Sequence, residues 1–164
     1  MKQDVASWDK LLHVLQWVLD VKLRHIDHLH FSLIYISLGD REVLGNEYGA
    51  PAAHRMLVEL ARNLRLAMRK SDIVARNNTD FWLLLSHVNP ESVLPRVFRI
   101  IEEAAQNGLD IVDRDVSIYS FQDNDYLKQN CLYSPSVLLE HLKINRSVFK
   151  YWPAAQQFAE EDLP

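Results

Sequence analysis

Residues 69–85 read RKSDIVARNNTDFWLLL, and the prediction of the fold begins from this segment. Two apolar runs, Ile73–Ala75 and Phe81–Leu85, stand on either side of a polar segment that contains Asn77 and Asn78. Branched and aromatic side chains favour strands, and asparagine tolerates the left-handed backbone angles of tight turns. The stretch therefore predicts a β-hairpin that turns at Asn77-Asn78.

Apolar residues at helical spacing predict four helices around this hairpin. The first carries its apolar face between Trp8 and Leu19, with Ser7 as the expected N-cap. The second covers residues 56–68. The others begin at asparagine or serine followed by proline, a pattern typical of helix starts. These starts are Asn89-Pro90, and Ser134-Pro135 before a helix whose expected apolar face holds Val137, Leu138, Leu142 and Phe149.

Two further runs rich in branched and aromatic residues predict strands at Phe31–Leu38 and Val116–Phe121. The predicted order is helix, strand, helix, hairpin, helix, strand, helix. Such an order favours an α+β sandwich, with a central mixed sheet that contains an antiparallel hairpin and is flanked by helices. We expect one domain over residues 1–152, followed by an acidic tail over residues 153–164.

Composition excludes several classes of protein. The 164 residues carry a net charge of −4, which argues against a generic binder of nucleic acid polymers. The single cysteine, Cys131, excludes an internal disulfide and favours the reducing cytoplasm. The apolar runs are far shorter than the roughly 20 residues that cross a bilayer, so we expect no direct membrane insertion. His25, His28 and His30 are close in sequence, but this spacing does not ensure that all three can bind one ion in tetrahedral geometry. We therefore predict no metal site.

The chain resembles the GGDEF diguanylate cyclase family in an ordered set of residues. The set consists of Tyr48-Gly49, Arg69 with Asp72, the run Val74-Ala75-Arg76, and the hairpin after it. That family makes cyclic di-GMP from two GTP molecules on a nucleotidyl-cyclase-like fold. The resemblance implies the same fold for this chain from about Trp8 to Phe149.

The sequence departs from that family where the signature should stand. Alignment on the preceding arginine, Arg76, places five residues on the Gly-Gly-Asp-Glu-Phe positions: Asn78, Thr79, Asp80, Phe81 and Trp82. The glycines that let a nucleotide approach the backbone are replaced, and a phenyl ring stands at the glutamate that the resemblance assigns to the metal site. The family's metal-binding aspartate falls on Ser37, its guanine-reading asparagine on Gly45, and a further pocket aspartate on His54.

Asp80 alone remains of the acidic cluster that the resemblance implies. Phosphoryl transfer depends on metal ions to neutralise developing charge, and one carboxylate is too few to hold two ions. We therefore expect no catalytic residues, no cofactor and no cyclase activity. An active cyclase is the third-ranked interpretation, because it needs carboxylates that the chain lacks.

A second site of the family is retained. The resemblance implies that Arg69 and Asp72 form the Arg-x-x-Asp site five residues before the signature, where the family binds cyclic di-GMP as an inhibitor. Arginine offers a planar fork to the O6/N7 edge of guanine, and a carboxylate can accept from its N1 and N2 hydrogens. A second arginine completes this site in the family, and either Arg96 or Arg99 can do so here.

Charge supports an anionic ligand at this place. Residues 55–76 contain six basic and two acidic side chains, a net charge of +4. The leading hypothesis is an inactive domain that binds cyclic di-GMP as a regulatory ligand and relays it to a protein partner or a second copy. The alternative is a nucleotide-independent interaction or dimerisation module on the same fold. Trp17 and Trp152 are candidates for a partner surface, because exposed tryptophan is enriched at hot spots.

Overall fold

The computed structural model describes residues 2–24, 30–38, 46, 49–86, 90–106, 115–121 and 124–145. Five helices and four strands are defined within these ranges. The helices are α1 (Lys2–Arg24), α2 (Ala50–Ala67), α3 (Pro90–Gln106), α4 (Asp125–Gln129) and α5 (Pro135–Ile144). The strands are β1 (Phe31–Ser37), β2 (Ile73–Asn77), β3 (Asp80–Ser86) and β4 (Asp115–Phe121).

The four strands form one sheet in the order β2-β3-β1-β4. Strand β1 pairs along its whole length with β3 on one side and with β4 on the other. Its last residue, Ser37, lies opposite both Asp80 and Asp115, and its first residue, Phe31, lies opposite Ser86 and Phe121. The central strand therefore sets the register of the whole sheet.

All three pairings are antiparallel, so the prediction of a mixed sheet is wrong for the strands that the structure describes. The cause is that each helical crossover joins two strands that are not neighbours in the sheet. Strands β1 and β2, joined through α2, run in the same direction, but β3 lies between them. Strands β3 and β4, joined through α3, are likewise separated by β1. Each parallel unit is split by another strand, so no two neighbours are parallel.

Helices cover both faces of the sheet and create two apolar cores. On the first face Ile36, Phe81 and Leu83 pack with residues of α2 and α3. On the second face Tyr35 and Trp82 pack with residues of α1, α4 and α5. Because both faces are buried, the strands read as continuous apolar runs instead of alternating with polar residues.

Most predicted elements are confirmed, with local corrections. Helix α1 begins at Lys2, so Ser7 lies inside it, because apolar spacing marks only the packed part of a helix. The hairpin turns one residue later than predicted, at Asn78-Thr79, since Asn77 pairs with Asp80. Val137 was expected in the core, yet it is exposed on α5, whose buried positions include Leu138, Leu139 and Leu142.

One helix was not predicted, one predicted helix start is confirmed, and some predictions concern residues outside the described ranges. Helix α4 was not predicted, because five residues are too short for a periodic pattern. The predicted start of α5 is confirmed, since the Ser134 hydroxyl accepts a hydrogen bond from the Val137 N–H at 3.4 Å. Seven residues named above, and the tail, lie outside the described residues: His25, His28, Gly45, Tyr48, Asn89, Phe149, Trp152 and 153–164.

Polar contacts hold α5 against the second face. The Tyr119 hydroxyl donates to the Leu142 carbonyl at 3.0 Å from the buried end of β4. The Tyr126 hydroxyl and His141 Nε2 lie 2.6 Å apart between α4 and α5, and burial raises the pKa of Tyr126 above its usual value of 10.0. None of the described helices is long and apolar enough to cross a membrane.

Truncation of Phe81 tests the first core. We expect Phe81→Ala to lower the free energy of unfolding by about 3–5 kcal/mol, because a fully buried phenyl ring leaves a cavity. The control Val137→Ala, at an exposed position, should change it by about 0.5 kcal/mol or less. Urea denaturation measures both, and equal effects from the two variants would contradict the assigned packing.

Candidate functional site

The predicted site residues occupy opposite ends of the sheet. The hairpin end holds Ser37 and the turn between β2 and β3. The other end, which we call the arginine end, holds Arg69 and Asp72, which precede β2, and Ser86, which ends β3. Asp80 and Ser86 are the first and last of the seven residues of β3, so the two ends lie roughly 20 Å apart.

The hairpin turn does not need glycine. Asn78 takes the left-handed conformation at φ 56°, which asparagine tolerates better than most residues. The buried Arg76 donates from Nη1 to the Asn78 carbonyl at 3.0 Å, and the Leu38 N–H donates to the Thr79 carbonyl at 3.3 Å. Asn78 and Thr79 thus form the turn with their own side chains present, at the positions where the resemblance places the family's glycines.

Asp80 forms a polar junction between three elements. Its Oδ1 accepts from the Tyr35 hydroxyl of β1 at 2.8 Å, and its Oδ2 accepts from Lys143 Nζ of α5 at 2.7 Å. The carboxylate side chain is only 15% exposed. Asp80 therefore anchors the end of α5 to the hairpin, and its negative charge is paired with an ammonium group of the same chain.

Neighbouring signature residues point to opposite faces of the sheet. Ser37 and Asp80 are partners across β1 and β3, whereas Phe81 belongs to the first core and is fully buried. The Phe81 side chain therefore lies on the opposite face of the sheet from those of Ser37 and Asp80. Trp82 packs in the second core, 4.5 Å from Tyr35 between ring centroids. Among the residues that the structure describes, no group of three or more His, Cys, Asp or Glu could hold a metal.

At the arginine end, Arg69 and Asp72 form a closed loop between α2 and β2. Asp72 Oδ2 accepts from the Arg69 N–H at 2.9 Å and from its Nε at 3.3 Å. Asp72 Oδ1 accepts from Arg69 Nη2 at 3.1 Å, and that same Nη2 donates to the Ser86 carbonyl at 2.9 Å. The guanidinium is thus held by one carboxylate and by the last carbonyl of β3.

The two partners differ in exposure, and this divides their roles. The Arg69 side chain is 49% exposed, whereas that of Asp72 is 3% exposed. Both carboxylate oxygens already accept from Arg69, so this geometry makes Asp72 a positioning residue for the arginine. The direct contact between Asp72 and guanine that the sequence suggests would require that pair to open, and it stays a prediction.

The structure separates the two candidates for the second arginine. Arg96 Nη1, on α3, donates to the carbonyl of Ala67 at 2.9 Å, two residues before Arg69. Arg99 lies one turn further along α3 and faces Glu103, with 4.0 Å between Nε and Oε1. Arg96 is therefore the arginine that the fold brings to the arginine end.

Some groups at these sites were not found from the sequence. Tyr35 and Lys143 contact Asp80 across 45 and 63 residues, and no local pattern predicts such pairs. The carbonyls of Ala67 and Ser86 are backbone groups, so only the fold can bring them to the arginines. His54, which the resemblance aligns with a pocket aspartate of the family, is exposed on α2.

Trp17 is exposed, as its proposed role at a partner surface requires. It is 61% exposed on α1, beside Gln16, whose Nε2 donates to the Tyr133 carbonyl at 3.5 Å. Tyr133 and Val137 are exposed as well. The surface formed by α1 and the start of α5 thus presents three large apolar side chains to solvent.

Comparison with known proteins identifies the family. The sequence pattern described as "Diguanylate cyclase, GGDEF domain" matches residues 12–119, about two thirds of the chain. This chain belongs to the GGDEF family. None of the curated proteins compared with it matches.

Solved structures agree with this GGDEF fold at low sequence identity. The GGDEF domain of PA1120 (YfiN or TpbB) from Pseudomonas aeruginosa is 18% identical with a TM-score of 0.57, over 87% of this chain and 88% of that one. Diguanylate cyclase SiaD from the same organism, solved with its activator SiaC, is 19% identical with a TM-score of 0.55 over 84% of this chain. This chain spans 55% of the length of that SiaD chain.

A third structure concerns a microbial GGDEF domain and its interaction with bis-(3,5)-cyclic di-GMP. It is 15% identical with a TM-score of 0.50, over 66% of this chain and 67% of that one. At such identities the likeness shows the fold of this GGDEF domain and not its ligand.

A double-mutant cycle tests the junction at Asp80. We expect Asp80→Asn and Lys143→Met to show a coupling free energy of about 1 kcal/mol, discounted because the ammonium is partly exposed. The matched cycle on the exposed pair Arg99 and Glu103 should give at most about 0.5 kcal/mol. Denaturant unfolding measures both cycles, and a coupling at Asp80 no larger than the control would refute the anchoring role.

Proposed function

We propose that this GGDEF domain has lost cyclase activity and binds cyclic di-GMP through Arg69. In this proposal Asp72 holds the guanidinium in place, Arg96 completes the site, and the occupied domain signals to a protein partner. The observation that carries the proposal is the geometry of the Arg69 side chain, which is oriented by two hydrogen bonds to Asp72 and one to the Ser86 carbonyl, yet is half-exposed.

A preorganised arginine suits a guanine base. Its planar fork can donate two parallel hydrogen bonds to O6 and N7, and less side-chain freedom is lost on binding when the side chain is already held. Arg96 adds a second positive charge beside the end of α2. The net charge of +4 over residues 55–76 favours a dianionic ligand at this end of an otherwise acidic chain.

Loss of cyclase activity is supported by the hairpin end. Asp80 is neutralised by Lys143, Phe81 is buried in the first core, and serine stands at position 37. Phosphoryl transfer by metal ions needs several hard oxygen ligands on one side of the site. These three positions supply one carboxylate between them.

The alternative function is a nucleotide-independent interaction or dimerisation module. The exposed Trp17, with Tyr133 and Val137 nearby, favours it, because large aromatic side chains concentrate binding energy at protein interfaces. Both functions can occur in one domain, since Trp17 is on α1 and Arg69 is at the arginine end.

Titration calorimetry with cyclic di-GMP tests the receptor function. We expect a dissociation constant near micromolar for the unmodified chain, or about 8 kcal/mol. Arg69→Lys keeps a charge for Asp72 but removes the fork, and should weaken binding about tenfold to a hundredfold. Arg96→Ala should also weaken it, whereas Arg99→Ala is the matched control and should not.

The outcomes of this titration separate the two functions. Equal affinity of Arg69→Lys and the unmodified chain would refute the site. No binding by the unmodified chain at high ligand concentration would leave the interaction module as the function, with the partner to be sought without nucleotide.

Incubation with saturating GTP and Mg²⁺ tests the loss of activity. We expect chromatography to find no cyclic di-GMP, because the hairpin end lacks the carboxylates that phosphoryl transfer needs. A GGDEF domain of known activity, assayed in the same buffer, is the positive control. Product formed by this chain would overturn both the alignment and the proposed inactivity.

A further inference from the structure

Helix α2 carries apolar side chains on the side that faces away from the sheet. Its core positions Leu57, Leu60 and Leu64 are buried, whereas Leu66 is 74% exposed, the highest value among the large apolar side chains that the structure describes. Val58 is exposed as well. Since 3.6 residues make one turn, positions 58 and 66 lie on the side of the helix opposite to those core positions. The first core therefore leaves these two side chains in solvent.

Basic residues alternate with these apolar ones along one line of the helix surface. We call this line the α2 stripe and define it as Arg55, Val58, Arg62 and Leu66. Successive members are three or four residues apart, so they are neighbours on one face of the helix. Arg62 Nη1 lies 3.6 Å from Glu59 Oε2, and both side chains are more than half exposed. An exposed pair of this kind contributes little to stability, so Arg62 can exchange this carboxylate for another anion.

The charge around the α2 stripe is strongly positive. Residues 55–70 contain five basic residues and one acidic residue, a net charge of +4 in a chain whose net charge is −4. Among the other described helices, α1 has the highest charge, +1, from four basic and three acidic residues. Because opposite charges attract, this uneven distribution orients the protein with the α2 stripe toward an anionic partner.

A ridge of this composition suits the surface of an anionic membrane. The stripe runs along the convex side of a helix, and a flat lipid surface can accept such a ridge without a complementary pocket. Interfacial helices lie in the plane of the membrane, with apolar side chains at the acyl boundary and basic ones among the headgroups. A guanidinium can bind two oxygens of a lipid phosphate while its aliphatic stem lies along apolar surface. The alternation of arginine with leucine and valine in the stripe supplies both kinds of contact.

We propose that the α2 stripe docks this domain on the surface of an anionic phospholipid membrane. Arg55 and Arg62 bind lipid phosphates, and Leu66 and Val58 reach below the level of those phosphates. The binding is peripheral and reversible, because two apolar side chains bury far less surface than a helix that spans the bilayer. Part of the interaction is ionic, so salt weakens it. The proposal does not rest on nucleotide binding, since no residue of the proposed nucleotide site belongs to the stripe.

Sedimentation with lipid vesicles tests this docking on the full chain. We expect the chain to sediment with vesicles made of equal parts of phosphatidylglycerol and phosphatidylcholine, and to stay in solution with vesicles of phosphatidylcholine alone. Arg62→Gln should weaken the binding about fivefold, because each basic residue near an anionic surface contributes to the attraction. Leu66→Ser should weaken it about tenfold, because the apolar side chain is lost from the lipid contact.

Two matched variants on the other side of the sheet are the controls. Ile144→Ser changes a side chain of α5 that is 70% exposed, close to the exposure of Leu66, and Arg24→Gln removes an exposed arginine at the end of α1. Both should sediment as the unmodified chain does. All four variants change exposed positions, so urea denaturation should show the stability of the unmodified chain within about 0.5 kcal/mol. Leu66→Ser should also keep the unmodified affinity for cyclic di-GMP, so failure of the docking and failure of the proposed function are distinguishable.

A fluorescent label reports which side of the domain meets the lipid. Cys131→Asn removes the native thiol at a left-handed position of φ 54° that asparagine tolerates, and Leu66→Cys then carries a nitrobenzoxadiazole label. We expect the emission of this label to gain intensity and to move to shorter wavelength with vesicles that contain phosphatidylglycerol. The same label on Ile144→Cys should not respond.

Three results would overturn the proposal. The first is a chain that stays in solution with phosphatidylglycerol vesicles at low ionic strength. The second is loss of binding in Ile144→Ser, or a response of the label at position 144, because another face would then meet the lipid. The third is loss of binding in Arg62→Gln without loss in Leu66→Ser and without a response of the label at position 66. That result would describe a purely ionic site, which fits an acidic protein instead of a membrane.

Discussion

The fold depends on one strand that is paired on both sides and buried on both faces. Strand β1 joins the hairpin β2-β3 to β4, and its side chains alternate between the two cores. Because a shift of one residue would exchange those faces, the apolar residues of β1 specify a single register. That register places Ser37 beside Asp80 and leaves Phe31 beside Ser86, and so fixes what stands at each end of the sheet.

The two ends use a carboxylate in similar ways. Asp72 orients an arginine at one end, and Asp80 receives a lysine and a tyrosine at the other. Each carboxylate is mostly buried, and burial of a charge is tolerated when the group is paired and hydrogen-bonded. The difference lies in the cation, since Arg69 keeps half of its surface open to solvent and can still meet a ligand.

Much of the fold could be predicted from the sequence, because hydrophobic spacing and turn residues act locally. The hairpin, the strands and the start of α5 at Ser134 are examples. The sequence did not show that every strand pairing is antiparallel, because this depends on the position of β3 between β1 and β2 in the sheet. The Asp80–Lys143 pair could not be predicted either, because its members lie 63 residues apart in the sequence. At the arginine end, the family resemblance drew attention to Arg69 and Asp72, whereas the contact of Arg96 with the Ala67 carbonyl could be seen only in the fold.

The burial of Phe81 limits which side chains this position can carry. A glutamate there would place an ionised carboxylate in the first core, where without a partner it costs several kcal/mol. That single change would remove a large part of the stability of the domain, because native domains are only about 5–15 kcal/mol more stable than their unfolded chains. Position 81 therefore accepts a charged residue only together with a second substitution that gives the charge a partner.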